Sequence, residues 1–153
     1  MLGPLEIIVD GRPLKVAAAK ERTLLALLLL RANETVSTER LMQELWGDRP
    51  PPSAAKLIQT YVSHLRRQLG DVIATRPPGY AAVVPDERLD STRFEELVQR
   101  AEGEDPSSAA ATLREALSLW RGAALEDVSF ESSAQQDVEQ LEDRRLSAVA
   151  QRI

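Results

Sequence analysis

Apolar positions along the chain change their period several times, and each change marks an element. Leu5 to Val9 is rich in strand formers, Asp10-Gly11 is a type I′ turn signal, and Pro13 to Val16 is placed to return. A hairpin therefore opens the chain. From about Ala19 to Ala32 the apolar side is broad, with Leu24, Leu25 and Leu27 to Leu30, which predicts a central buried helix stopped at Asn33. Thr35-Val36 reads as a short extended piece. Ser37 follows as an N-cap, with Glu39 at the positive end of the next helix. Leu41, Met42, Leu45 and Trp46 make one face of that helix, and Gly47 with the run Pro50-Pro51-Pro52 ends it. Ser53 is then expected to cap a long helix that reaches Leu69, with Gly70 as its stop.

Val72 to Ala74 and Ala81 to Val84 flank Thr75-Arg76-Pro77-Pro78-Gly79-Tyr80, the pattern of a second hairpin. Pro85 to Arg88 reads as a junction, and the rest is helical: about Ser91 to Glu102, Pro106 to Arg121, and Ser132 to the end. Asp105-Pro106 supplies an N-cap with proline at the first helical position. No stop signal precedes Ile153, so the natural chain is expected to continue.

The helix at 53–69 divides into two faces. At 100° per residue, Leu57, Ile58, Tyr61, Val62, Leu65 and Leu69 fall within an arc of about 140°. Lys56, Gln59, Thr60, Ser63, Arg66 and Arg67 occupy about 120° opposite. The second face has cations and hydrogen-bonding groups but no acid, whereas solvated helix faces usually mix signs. His64 lies between the two, a boundary residue.

Charge sharpens this picture. Residues 1–84 hold 11 Lys+Arg against 8 Asp+Glu, a net of +3, and residues 85–153 hold 8 against 16, a net of -8. The overall charge of -5 hides a basic module at the front. Gln, Thr, Ser and Arg on one face suit base edges and phosphates. The order hairpin, helix, helix, basic helix, basic hairpin is that of a winged helix-turn-helix, with Arg76 at the wing tip beside Thr75. Gln59, Thr60, Ser63 and Arg66 are the candidates for base edges, and Lys56, Arg67 and Arg76 for backbone or minor groove.

Three stretches carry a resemblance: "LGPLEIIVDGRPL", "AKERTLLALLLLRANETVSTERLMQELWGDRPPPSAAKLIQTYVSHLRRQLG" and "TRPPGYAAVV". They resemble the Streptomyces antibiotic regulatory protein family, whose front part is an OmpR-type winged helix. "LDSTRFEELVQRA" and "AAATLREALSLWRGAALEDV" resemble the start of that family's bacterial transcriptional activator domain, a tetratricopeptide-like all-α region. The resemblance implies an α+β winged helix over residues 1–85 and an incomplete helical domain over 86–153. It also implies a transcription activator of bacterial promoters, concerned with secondary metabolism. Such a protein would bind direct repeats in double-stranded DNA, side by side with a second copy, and recruit RNA polymerase. By position, Ser53 to Leu69 is the recognition helix, Asp71 to Val84 the wing, and Gly47 to Pro52 the turn that faces polymerase. His64 departs from the family, which commonly has Arg there.

Other chemistry finds little support. With no cysteine, thiol catalysis, disulfides and cysteine metal sites are excluded; with one histidine, a histidine-built metal cluster is not expected, nor is a cofactor. There is no Walker phosphate loop and no G-x-S-x-G motif, so an enzyme is not expected. The longest apolar run, Leu24 to Leu30, is too short for a membrane span, and no signal-like segment follows Met1, so a cytoplasmic location is expected. Trp46 and Trp120 stand among leucines as core residues, and Tyr80 is placed to tuck the wing onto the body. Arg49 is either a solvated loop charge or a contact to phosphate or polymerase. The acidic helices are solvated faces or a partner surface. The reading of another class is a helical-repeat adaptor whose winged helix binds protein.

Overall fold

Two compact units divide the computed structural model, which describes residues 1–152. The first comprises Leu5–Val84 and Asp127–Gln135, and the second Met1–Pro4, Pro85–Glu126 and the chain from Gln136 onward.

In the first unit, β1 (Ile7–Val9) and β2 (Arg12–Leu14) form an antiparallel hairpin with Ile7 opposite Leu14 and Val9 opposite Arg12. Asp10 and Gly11 at its tip have φ of 51° and 76°, the double left-handed turn that matches strand twist. Helix α1 (Ala19–Leu30) is the central helix, with Leu24 to Leu28 all buried. It stops two residues earlier than expected. Asn33, at φ 67°, gives its N–H to the Ala82 carbonyl at 2.7 Å, and its side chain exchanges two hydrogen bonds with the Val84 backbone.

Strand β3 (Val36–Ser37) leads into α2 (Thr38–Trp46), and Ser37 Oγ accepts from the Arg40 N–H at 3.1 Å as an N-cap. Gly47 at φ 62° ends α2, and α3 (Ala54–Leu69) ends at Gly70, φ 76°. The expected cap at Ser53 is corrected. Its ψ of 13° is not extended, its side chain makes no capping bond, and the chain enters α3 through a turn closed by Ala54 N–H on the Pro51 carbonyl.

The wing strands β4 (Ile73–Arg76) and β5 (Gly79–Ala82) reach nearer the tip than expected, so Thr75 and Arg76 are in the ladder. β5 is central in the sheet order β3-β5-β4. Gly79 makes this possible: a Cβ there would run into the Val36 carbonyl and sit 2.8 Å from Ser37 Cα. The core is formed where α1, α2 and α3 pack together against β5, with Leu24, Leu28, Leu41, Leu45, Ile58 and Leu65 fully buried.

Asp127–Gln135 returns to this unit. Asp127 accepts from the Leu5 N–H at 2.8 Å and faces Arg22 at 3.7 Å. Glu44 of α2, 1% exposed, accepts from the amides of Ser132 and Ala134 at 3.2 and 2.9 Å and from the Ser133 hydroxyl at 3.3 Å. The Ala134 amide is a free donor at the start of helix α6 (Ala134–Gln151), so the buried carboxylate, 90 residues away in sequence, accepts at the helix end and also holds the two serines that lead into it.

The second unit is helical. A single 3-10 turn (Asp86–Arg88) precedes α4 (Asp90–Glu102) and α5 (Pro106–Ser118). Asp105 caps α5 by accepting from the Ser107 and Ser108 amides, both at 3.1 Å. α5 stops short of the expected Arg121, because the Arg121 N–H bonds the Leu2 carbonyl at 2.8 Å. The amino terminus pairs with Asp90 at 2.9 Å. Phe94 meets Trp120 edge-on, centroids 5.5 Å apart, and Arg145 covers the same indole at 4.8 Å. The expected run of the last helix to Ile153 lies outside the described residues. Among the described residues, no helix is long and apolar enough to cross a membrane.

Candidate nucleic-acid interface

Helix α3 exists because its apolar stripe has somewhere to go. Ile58, Val62 and Leu65 are buried against α1 and α2, while Leu57, Tyr61 and Leu69 are half-buried at the margin. Trp46 stacks on Tyr61 at 6.4 Å, and Lys20, whose ammonium donates to the Leu45 carbonyl, lies 5.6 Å from the indole centroid. Burial of this stripe forces the opposite face outward. Lys56, Gln59, Thr60, Ser63, Arg66 and Arg67 are all exposed, as are Thr75 and Arg76 on β4.

The exposed set divides by what each side chain already holds. The side chains of Lys56, Gln59, Ser63, Arg67 and Arg76 make no hydrogen bond or ion pair with any described residue, so their donors are unspent. Thr60 donates its hydroxyl to the Lys56 carbonyl at 3.2 Å, an ordinary back-bond within the helix. Arg66 alone is committed across elements. Its Nε donates to the Ile73 carbonyl at 3.0 Å and its Nη2 to Thr75 Oγ1 at 2.7 Å. The structure thus brings Arg66 and Thr75 together, while Arg76 stands at the end of β4 beside the Pro77-Pro78 tip.

Two acids escaped the sequence reading. Glu21 of α1, 6% exposed, lies 2.6 Å from Nδ1 of half-buried His64 and fixes the border of the polar face. Glu44 is the other. The only sequence signal for Glu44 is its place beside Leu45 and three residues after Leu41, on the buried side of α2. The turn between α2 and α3 borders an open polar cleft of about 470 Å³, lined by Gln43, Trp46, Gly47, Asp48, Arg49, Glu131 and Ser132.

A basic, acid-free helix followed by a two-stranded hairpin, carried on three helices, is the architecture of a winged helix-turn-helix, and here a helical region follows it. Residues 12–82 match the family described as transcriptional regulatory protein, C terminal, and residues 89–153 match the bacterial transcriptional activator domain. The chain belongs to the Streptomyces antibiotic regulatory protein family, with an OmpR-type winged helix followed by an activator domain.

Its relatives are transcriptional regulators. It is 36% identical to the regulatory protein DnrI of Streptomyces peucetius, over all of this chain and 62% of DnrI. It is 37% identical to the regulatory protein AfsR of Streptomyces coelicolor, over 84% of this chain and 14% of AfsR. A solved structure of Mycobacterium tuberculosis EmbR, in complex with a low-affinity phosphopeptide, superposes with a TM-score of 0.77 at 33% identity. That likeness covers 99% of this chain and 41% of the EmbR chain. The chain therefore spans only part of each of these relatives.

Proposed function

We propose that the chain is the DNA-binding and early activator part of a bacterial transcription activator that acts in the cytoplasm, with residues 1–85 binding double-stranded DNA and 86–153 beginning the activator region. On this reading α3 enters the major groove and the β4–β5 wing follows the backbone or minor groove. Two copies sit side by side on direct repeats, and the Gly47–Pro52 turn faces RNA polymerase. Lys56, Gln59, Thr60, Ser63 and Arg67 of α3, with Arg76 of the wing, form the contact set, while Arg66 and Thr75, on the same face, hold each other.

One observation carries this reading. In a protein of net charge -5, the exposed face of α3 holds three cations and no acid, and most of its donors are unspent. Desolvating such a face against a neutral protein surface would leave unpaired charge, whereas phosphates and base edges complete it. The regulator relatives support the same reading.

The test is selection of bound duplexes from a random library at about 150 mM salt, the ionic strength at which non-specific phosphate binding is already weakened. A motif repeated at roughly one helical turn, about 10–11 bp, is expected. No enrichment from the wild-type chain would overturn DNA binding and leave the adaptor reading, in which the basic face meets protein.

A further inference from the structure

We propose that Arg66 is a positioning residue, which fixes the wing to α3 through Thr75, and that base reading falls to Gln59, Ser63 and Arg67. The inference takes its functional consequence from the DNA-binding reading above, but its geometry stands without it.

A guanidinium offers two edges for paired hydrogen bonds, one formed by Nε with its neighbouring Nη and one by the two terminal nitrogens. Arg66 has already used the first. Nε is on the Ile73 carbonyl at 3.0 Å and Nη2 on Thr75 Oγ1 at 2.7 Å. Arg67, one residue on, has used neither. Two adjacent arginines on one exposed face therefore arrive at a ligand in different states. The first would have to surrender two charge-assisted bonds to read a guanine side-on, and the second surrenders nothing.

The place of the latch along β4 gives it a task. Ile73 is buried at 3% exposure and anchors the start of the strand in the core. Thr75, two residues further toward the tip and opposite Tyr80 in the ladder, is exposed. Without Arg66 the outer half of the hairpin is held to α3 by no side-chain hydrogen bond among the described residues. With it, Thr75 and the neighbouring Arg76 are carried in fixed register with the recognition face. Strand alternation turns Arg76 away from the Thr75 side, leaving it at the tip for a ligand.

The experiment uses the whole chain with Arg66→Ala, Arg66→Lys, Thr75→Val and the Arg66→Ala/Thr75→Val pair. Hydrogen exchange of the wing amides is read in the free protein, and base preference on duplexes selected by the wild type. Arg66→Ala and Thr75→Val are each expected to speed exchange of the outer wing amides by about fivefold, as when a local closing interaction is removed, and the double variant no further. Arg66→Lys, which keeps the charge but lacks the fork, should exchange like Arg66→Ala. All four should keep the wild-type base preference. Unchanged wing exchange in both single variants would overturn the latch. So would a preference relaxed at one base by Arg66→Ala but not by Thr75→Val, since Arg66 would then be reading that base. If the wild type selects no duplex, the DNA reading falls, and the exchange measurement still decides the latch.

Discussion

The arginines of α4 and α6 and the cations exposed on α3 and β4 meet opposite fates. On α4 and α6 the arginines are paired: Arg93 with Glu115 at 3.1 Å, Arg100 with Glu104 and Glu115 at 3.5 and 3.6 Å, and Arg144 with Glu95 at 2.9 Å. In the winged-helix unit Arg67, Arg76 and Lys56 have no partner among the described residues. Composition alone would put the cations to better local use beside the many acids of the second unit. On the DNA-binding reading proposed above, their isolation on α3 and β4 keeps that surface open for a ligand. On that reading, the paired cations of α4 and α6 serve the fold, and the unpaired ones of α3 and β4 are left for the ligand.

The largest effect should come from emptying the open face. Replacing Lys56, Arg67 and Arg76 together by alanine should lower the slope of log affinity against log salt by about 0.9 for each phosphate no longer neutralised, and weaken duplex binding roughly a hundredfold near physiological salt. Thermal stability should hardly move, because none of the three holds another group. The matching triple change of Arg93, Arg100 and Arg144 removes the same net charge. It should leave the slope alone and cost about 0.2–1 kcal/mol per pair, the range for exposed ion pairs. Equal slopes after both triple changes would show that net charge acts at long range, and the comparison between the two faces would collapse.

A second effect sharpens the contrast from the acidic side. Glu44 pairs with no cation in the way the acids of α4 and α6 do; it is buried and holds the entry into α6 through two amides and a hydroxyl. Glu44→Ala should cost about 2–3 kcal/mol in urea unfolding, because buried donors lose their acceptor and a helix loses its cap. Exposed Glu39 in the same helix should cost well under half of that when changed to alanine. A loss below about 0.5 kcal/mol for Glu44→Ala would mean that water replaces the carboxylate at little cost.

The sequence was most readable where an element obeys its own local rules. The Asp10-Gly11 turn, the Ser37 cap, the glycines closing α2 and α3, and the two faces of α3 all depend on neighbours within a few residues. Ser53 looked like a cap by type, but the preceding prolines deliver the chain to α3 in a turn, at a ψ its side chain cannot use. The extent of the wing depended on Gly79 letting β3 approach, which is a contact 42 residues apart in sequence. Glu44, Asp127 and the Met1–Pro4 segment work through partners roughly 90 to 120 residues away. No periodicity records such distances. The committed state of Arg66 belongs to the same group: residue type and spacing placed it on the face, and only the fold shows that β4 has claimed one edge of it.

The smallest effect lies in the helical unit and concerns an acid that, like Glu44, serves a helix end, but in full solvent. The Ser108 hydroxyl, donating at 2.6 Å, and then the Ser108 and Ser107 amides hold the Asp105 carboxyl below the ordinary carboxylate range. A lowered pKa in the folded state means that the carboxylate's contribution is complete above the unfolded value, near 3.9, and is lost as pH falls through the folded value. Asp105→Asn keeps an acceptor at the cap but has no charge to titrate. Wild type should therefore be slightly the more stable at pH 6, and the gap should close as the pH is taken to about 3 and below. Urea midpoints of both proteins at the two pH values decide it. A gap of the same size at both would assign the cap's contribution to hydrogen-bond geometry alone and remove charge from the account. Asp105 would then differ from Glu44 only in exposure.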